Sequence, residues 1–132
     1  MSDGTWNWIG EDTVLAIHDA QLAEHGGRSG MRDPALMQSA LARPRNLASY
    51  GEPDASRLAA AYAYGLVRNH AFADGNKRAA FVVALVFLLD NGFVCISEDT
   101  ESVTTMQALA SGDMEEEKFA AWLRARIQPA AA

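Results

Sequence analysis

Cysteine is almost absent: Cys95, in Phe93-Val94-Cys95-Ile96, is the only one among 132 residues. A single thiol excludes an intrachain disulfide and a cysteine-based zinc site, and it fits a reducing compartment. Its apolar neighbours point to a buried, inert thiol. Long apolar runs are also missing. The longest, Ala79 to Leu89, falls well short of the roughly 20 residues that cross a bilayer, so no membrane partner is expected. The first residues lack the basic-then-apolar layout of a secretory signal, which makes the cytoplasm the expected location. Positive charge is in the minority, with 11 Lys and Arg against 17 Asp and Glu and a net charge of -6. Such a surface repels a phosphate backbone, so no direct nucleic-acid partner is expected. What remains is 49% hydrophobic and 21% charged, the profile of a soluble globular chain. No repeat or linker is visible, and residues 1–132 read as one domain.

The pattern along the chain is helical. Thr5 to Ile9 alternates and could form a short edge strand, pairing through Trp6 to Ile9 with Phe93 to Ile96. A first helix is expected from Glu11 to His25, with two acids in its first turn and Gly26-Gly27 as its stop. Gly26 to Gly30 reads as a flexible loop. Asp33-Pro34 starts a second helix that Pro44 should end, leaving Arg45 to Pro53 as surface loop. Asp54 caps a third helix, Ala55 to Asn69. Asn76 to Asp90 is apolar on nearly every side and should be the buried central helix. Two more helices follow, Asp99 to Ala110 and Asp113 to Ile127, the latter opened by a capping box between Asp113 and Glu116. The tail Pro129 to Ala132 should fray. The expected fold class is all-α, a compact helical bundle around a buried central helix with at most a minor two-stranded β element.

The chemistry concentrates in one loop, His70-Ala71-Phe72-Ala73-Asp74-Gly75-Asn76-Lys77-Arg78, ahead of the central helix. The first amides of a helix have no intrahelical partner and carry partial positive charge, so they bind anions. Gly75 lets a phosphate come close to the backbone. Asn76, Lys77 and Arg78 add donors, Lys as a point charge and Arg as a planar fork. Two cations in a helix's first turn oppose the dipole, which itself hints at an anion. Asp74 is the candidate Mg²⁺ ligand. His70, whose imidazole titrates near neutrality, is the candidate base. Phe72 is expected to point inward and anchor the loop. Together these are the parts that phosphoryl or nucleotidyl transfer needs, since its catalysis is mainly positioning and charge neutralisation. Taken one by one they are also ordinary turn and helix-start residues.

The motif His70-x-Phe72-x-Asp74-Gly75-Asn76-Lys77-Arg78 resembles the signature of the Doc (death-on-curing) toxins, a branch of the Fic superfamily. Val14 to Asp19, Gly26 to Gly30, Ser39 to Pro44 and Phe87 to Gly92 resemble the family's other landmarks, in order. The resemblance implies the Fic helical fold. It implies a toxin that uses ATP and Mg²⁺ to modify a protein hydroxyl, with His70 as general base, Asp74 on the metal, and Gly75, Asn76, Lys77 and Arg78 on phosphates. Typical Fic enzymes transfer AMP and carry Gly where this chain has Lys77. Lys belongs to the Doc branch, whose implied reaction is phosphorylation of a threonine of elongation factor Tu, arresting translation. AMP transfer is the alternative, and an idle antitoxin-binding module is another. Ala71 departs from many relatives, which carry Pro there, and leaves the loop's rigidity open. The nearest approach to a cis-restraining motif, Ser111 to Glu116, lacks its final small residue, so a Phd-type antitoxin acting in trans is the implied partner.

The remaining features have plainer readings. His18 and His25 lie too far apart to ligate a metal as a pair, and His18 reads as packing or hydrogen bonding. Glu115-Glu116-Glu117 reads as a solvated helix start. Trp6 and Trp8 read as cover for the core. Arg43 and Arg45 are candidates to border the loop.

Overall fold

Asp33 and Asp54 set the helical frame. Each has extended backbone, and its carboxylate accepts a backbone N–H of the helix it precedes, from Ala35 at 3.0 Å and from Arg57 at 2.9 Å. The computed structural model describes residues 5–131. In it the chain forms α1 (Glu11–His25), α2 (Pro34–Tyr50), α3 (Ala55–Asn69), α4 (Asn76–Asp90), β1 (Phe93–Cys95), α5 (Asp99–Ser111), α6 (Glu116–Arg124) and β2 (Ile127–Pro129). The all-helical class holds, with one small two-stranded sheet. No helix among the described residues is long and apolar enough to cross a membrane.

The centre is α3 together with α4, rather than α4 alone. Ala59, Ala60, Ala61, Tyr62 and Ala63 of α3 are fully buried, whereas α4 leaves Leu89 exposed at its far end. Small side chains allow close approach. A methyl on Gly65 would meet Ala40 of α2 at 3.1 Å, so glycine is what lets α2 cross there. Phe87 of α4 packs on Tyr62 and is covered by Trp6 and Trp8, which bears out the reading of those tryptophans.

Several local expectations need correction. Pro44 lies inside α2 instead of ending it. It forfeits one backbone bond, but Pro44 and Ala48 are both buried, and that packing carries the helix on to Tyr50. Residues Trp6 to Ile9 form no strand. β1 instead pairs antiparallel with β2, which begins at Ile127, the expected end of the last helix, and takes in Pro129, the first residue of the tail expected to fray, in the register Phe93–Pro129, Val94–Gln128, Cys95–Ile127. The amino-terminal segment is instead stapled to the end of α4 by side-chain amides. Asn7 donates to the Asn91 Oδ1 and the Asp90 carbonyl, each at 2.9 Å, and Asn91 returns a bond at 3.0 Å. The Asp113–Glu116 capping box is not formed, and α6 starts at Glu116. The Glu116 carboxylate is not solvated either, because the guanidinium groups of Arg43 and Arg57 hold it. Cys95 is half-buried, and burial pushes its thiol pKa up, consistent with an inert thiol.

Asp54 also meets Arg124 in a two-pronged pair, at 2.6 and 2.9 Å. The Arg124 hydrogen bond is the main cause holding the Asp54 carboxyl below its usual value, while burial works against it. The pair is half-exposed, so the helix cap outweighs it. Asp54→Ala is expected to cost about 1 kcal/mol at neutral pH. Because the folded pKa is depressed, that contribution is whole above the unfolded value and is lost as pH falls through the folded one. Urea melts of both proteins should therefore differ at about pH 7 and draw together as the pH falls below the unfolded carboxyl value of about 3.9.

Candidate active site

α3 ends at His70, which adopts a left-handed backbone with φ 53° and ψ 54°. It is the only non-glycine residue with positive φ among the described residues. Such strain in an exposed histidine needs support. The His70 N–H donates to the Leu66 carbonyl, and its carbonyl accepts from Arg32 Nη1 at 2.7 Å. The chain then turns inward. Ala71 and Phe72 are buried, as expected for the anchor. Asp74 and Gly75 bring it back out, with Gly75 also left-handed at φ 76°. Asn76 begins α4.

The segment from Gly26 to Arg32 is not the free loop its composition suggests. It runs beside the motif, with Met31 and Phe72 forming an antiparallel bridge. Arg32 N–H donates to the Ala71 carbonyl at 2.8 Å, and Ala73 N–H to the Gly30 carbonyl at 2.9 Å. These bonds fix the loop where Ala71 leaves the backbone unconstrained by proline. Arg28 N–H donates to Asp74 Oδ2 at 3.0 Å, and Gly75 N–H to Asp74 Oδ1 at 2.9 Å. A side chain on Gly27 would strike Asp74 Oδ2 at 2.9 Å.

The electrostatics follow from those amides. The Arg28 N–H, then the Gly75 N–H, hold the Asp74 carboxyl below the usual carboxylate range, helped by the nearby charges of Arg28 and Arg78. Asp74 is therefore ionised at neutral pH. Each of its oxygens accepts one amide and keeps a lone pair for another partner. Among the described residues no cluster of three His, Cys, Asp or Glu side chains could hold a metal unaided. One carboxylate completed by substrate phosphates and water is, however, a regular Mg²⁺ arrangement, and Asp74 fits it.

The opening of α4 is bare. Gly75 provides no side-chain cap, and the first helical bond runs from Ala79 N–H to the Gly75 carbonyl. The amides of Asn76, Lys77 and Arg78 precede it and have no place in the helical ladder. Asn76 differs from expectation in how it contributes. Its side chain is buried, donating to the Phe72 carbonyl at 2.9 Å and accepting from the Phe72 N–H at 3.0 Å. It locks the loop, and only its backbone N–H is left for an anion. Arg78 Nη2 donates to the Gly26 carbonyl at 3.0 Å, while its buried Nε has no partner among the described residues. Lys77 is exposed, with no ion pair among the described residues.

These groups share one pocket of about 230 Å³, lined by His70, Asp74, Gly75, Asn76, Lys77 and Arg78, with Val67 and Ala110 as its apolar wall. An imidazole, a carboxylate, two cations and a bare helix end thus converge. A larger pocket of about 490 Å³ lies by Arg57, Tyr64 and Arg68, but Glu115, Glu116 and Glu117 face into it, which disfavours a polyphosphate. Arg43 and Arg45 do not border the loop. Arg43 is on Glu116 and Tyr64, and Arg45 lies over Trp8.

The family model described as Fic/DOC matches residues 8–88, from the start of the helical frame through the motif and nearly all of α4. The chain belongs to the Fic/Doc family. It is 32% identical over 117 residues to "Protein kinase doc" of Escherichia phage P1, an alignment covering 88% of this chain and 92% of that one. It is 46% identical over 70 residues to "Toxin Doc" of Mycolicibacterium smegmatis, covering 51% of this chain and 53% of that relative. Within the Fic/Doc motif, sequence reasoning found the residues that line the pocket. It missed the backing contributed by Arg28 and Arg32. Their only signal was the order of landmarks, since the spacing of a glycine-rich loop does not say which loop it will lie against.

Proposed function

We propose that this chain is a Doc-type toxin that moves the γ-phosphoryl group of ATP onto a serine or threonine hydroxyl of a protein. The observation that carries this reading is the single pocket in which His70, Asp74, Lys77, Arg78 and the bare end of α4 meet. The nucleotide's phosphates lie against the first amides of α4. The Arg78 fork and the Lys77 ammonium neutralise their oxygens. Asp74 would hold Mg²⁺, which would supply further charge neutralisation. His70 at the pocket edge takes the proton of the acceptor hydroxyl as its oxygen bonds to the γ-phosphorus. The bond from that phosphorus to the β-bridging oxygen breaks, and ADP leaves.

Lys77 favours the kinase over AMP transfer, because a cation there occupies the space that glycine leaves open in AMP-transferring relatives and so changes how the triphosphate seats. The phage relative's name, a protein kinase, supports the same choice. Elongation factor Tu is the proposed acceptor, and translation arrest the outcome. A Phd-type antitoxin, docking as a helix from a separate chain, is the proposed restraint. Glu115, at the glutamate place of the nearest approach to a cis-acting restraint, lines the Arg57–Tyr64–Arg68 pocket and not this one.

The test is direct. With purified elongation factor Tu and Mg²⁺, γ-labelled ATP is expected to label the factor and α-labelled ATP to leave it unlabelled. Label from the α-position alone would replace the kinase with AMP transfer. Label from neither, with growth arrest unaffected by loss of His70, would support the idle module.

A further inference from the structure

α1 buries two side chains, Val14 and His18. Val14 is ordinary core, but His18 is a polar ring only 3% exposed, and its contacts fall on the active-site loop. The ring lies flat on Phe72, with centroids 3.7 Å apart and planes within 9°. Its Nε2 is 2.7 Å from the Asp74 carbonyl oxygen. A carbonyl only accepts, so Nε2 carries the hydrogen and donates. The same nitrogen stands 3.6 Å from where a side chain on Gly75 would begin.

The Asp74–Gly75 peptide is the loop's weak point. Glycine tolerates either sign of φ, so this peptide plane can turn over with little steric resistance. A trans peptide points its C=O and its N–H in opposite directions. With the carbonyl held inward on His18, the Gly75 N–H is aimed at the Asp74 carboxylate, and both residues line the pocket. Turned over, the same peptide would release that carboxylate and aim a carbonyl oxygen, with its negative partial charge, at the phosphates.

We infer that His18 is a positioning residue, which locks the Asp74–Gly75 peptide in the orientation that keeps its carbonyl off the nucleotide and its N–H on the Asp74 carboxylate. This rests on the pocket being the phosphate site. It assigns His18 no contact with substrate and no proton transfer.

Three variants separate this role from packing. His18→Gln places an amide donor where Nε2 stood. His18→Asn places its donor nearer the backbone, out of reach of the Asp74 carbonyl. His18→Phe keeps the ring on Phe72 and removes the donor. In ¹⁵N spectra the Gly75 amide is expected to stay near its wild-type position in His18→Gln and to shift or double in the other two. The kcat/KM for phosphate transfer is expected to fall about 10²-fold in His18→Phe and His18→Asn, as misplaced catalytic groups do. It should stay within about threefold in His18→Gln, where the bond survives. Should His18→Phe fail to fold, the Gln and Asn variants carry the comparison. A wild-type Gly75 amide in folded His18→Asn, or equal losses in all three variants, overturns the inference. The amide signal needs no turnover, so a wild-type protein that transfers no phosphate would refute the proposed function while His18 remained testable.

Discussion

His70→Ala is expected to lower the rate of transfer to the acceptor hydroxyl by about 10²–10⁴-fold, the range a positioned general base contributes. The fold should be untouched. His70 is exposed, and what the surrounding structure holds is its backbone, through Leu66 and Arg32. Alanine keeps both bonds and adopts the same left-handed backbone at a small further cost. The melting temperature should therefore stay close to wild type. ATP binding should survive too, since the phosphate donors belong to α4. The measurement is single-turnover transfer at saturating ATP, with thermal unfolding as control. A full-rate His70→Ala protein would remove the base from the mechanism.

Arg78→Ala is expected to cost about 10²–10³-fold in kcat/KM, the scale seen when a preorganised donor to a charged oxygen is removed. Part of the loss should appear as weaker ATP binding. Arg78 is held before any ligand arrives, because Nη2 is tied to the Gly26 carbonyl. Its buried Nε carries an N–H with no partner among the described residues, a cost that an anion in the pocket offsets. Arg78→Lys should recover only a small part of the activity. An ammonium cannot bond to Gly26 and present a planar fork to phosphate at once. Kinetics of both variants with varied ATP check this. Wild-type KM and kcat in Arg78→Ala would place the phosphates elsewhere.

The helical frame and the motif were legible because their signals are local. Asp33 and Asp54 cap as their sequence context predicts, and Gly75 and His70 frame the loop where the motif lies. What was not legible depends on partners distant in sequence. Pro44 reads as a helix end unless one knows that Pro44 and Ala48 are buried. Glu116 reads as solvated because nothing nearby in sequence announces Arg43 and Arg57. β1 could be seen, but not its partner: Trp6 to Ile9 reads as the neighbour, whereas Asn7 is bonded to Asn91 at the end of α4 and β2, far along the chain, pairs with β1. Asn76 is the instructive case within the site. Its type and position suit phosphate binding, yet the turn it closes with Phe72 claims its side chain. Composition gives the donors present, whereas the fold decides which of them face a ligand.

Titration of the ¹⁵N-labelled protein with ATP and Mg²⁺ asks where the triphosphate sits. The largest shifts are expected at the amides of Gly75, Asn76, Lys77 and Arg78, with His70 close behind and the Arg57–Tyr64–Arg68 wall still. Silent resonances at the start of α4, or shifts confined to that other wall, would contradict it.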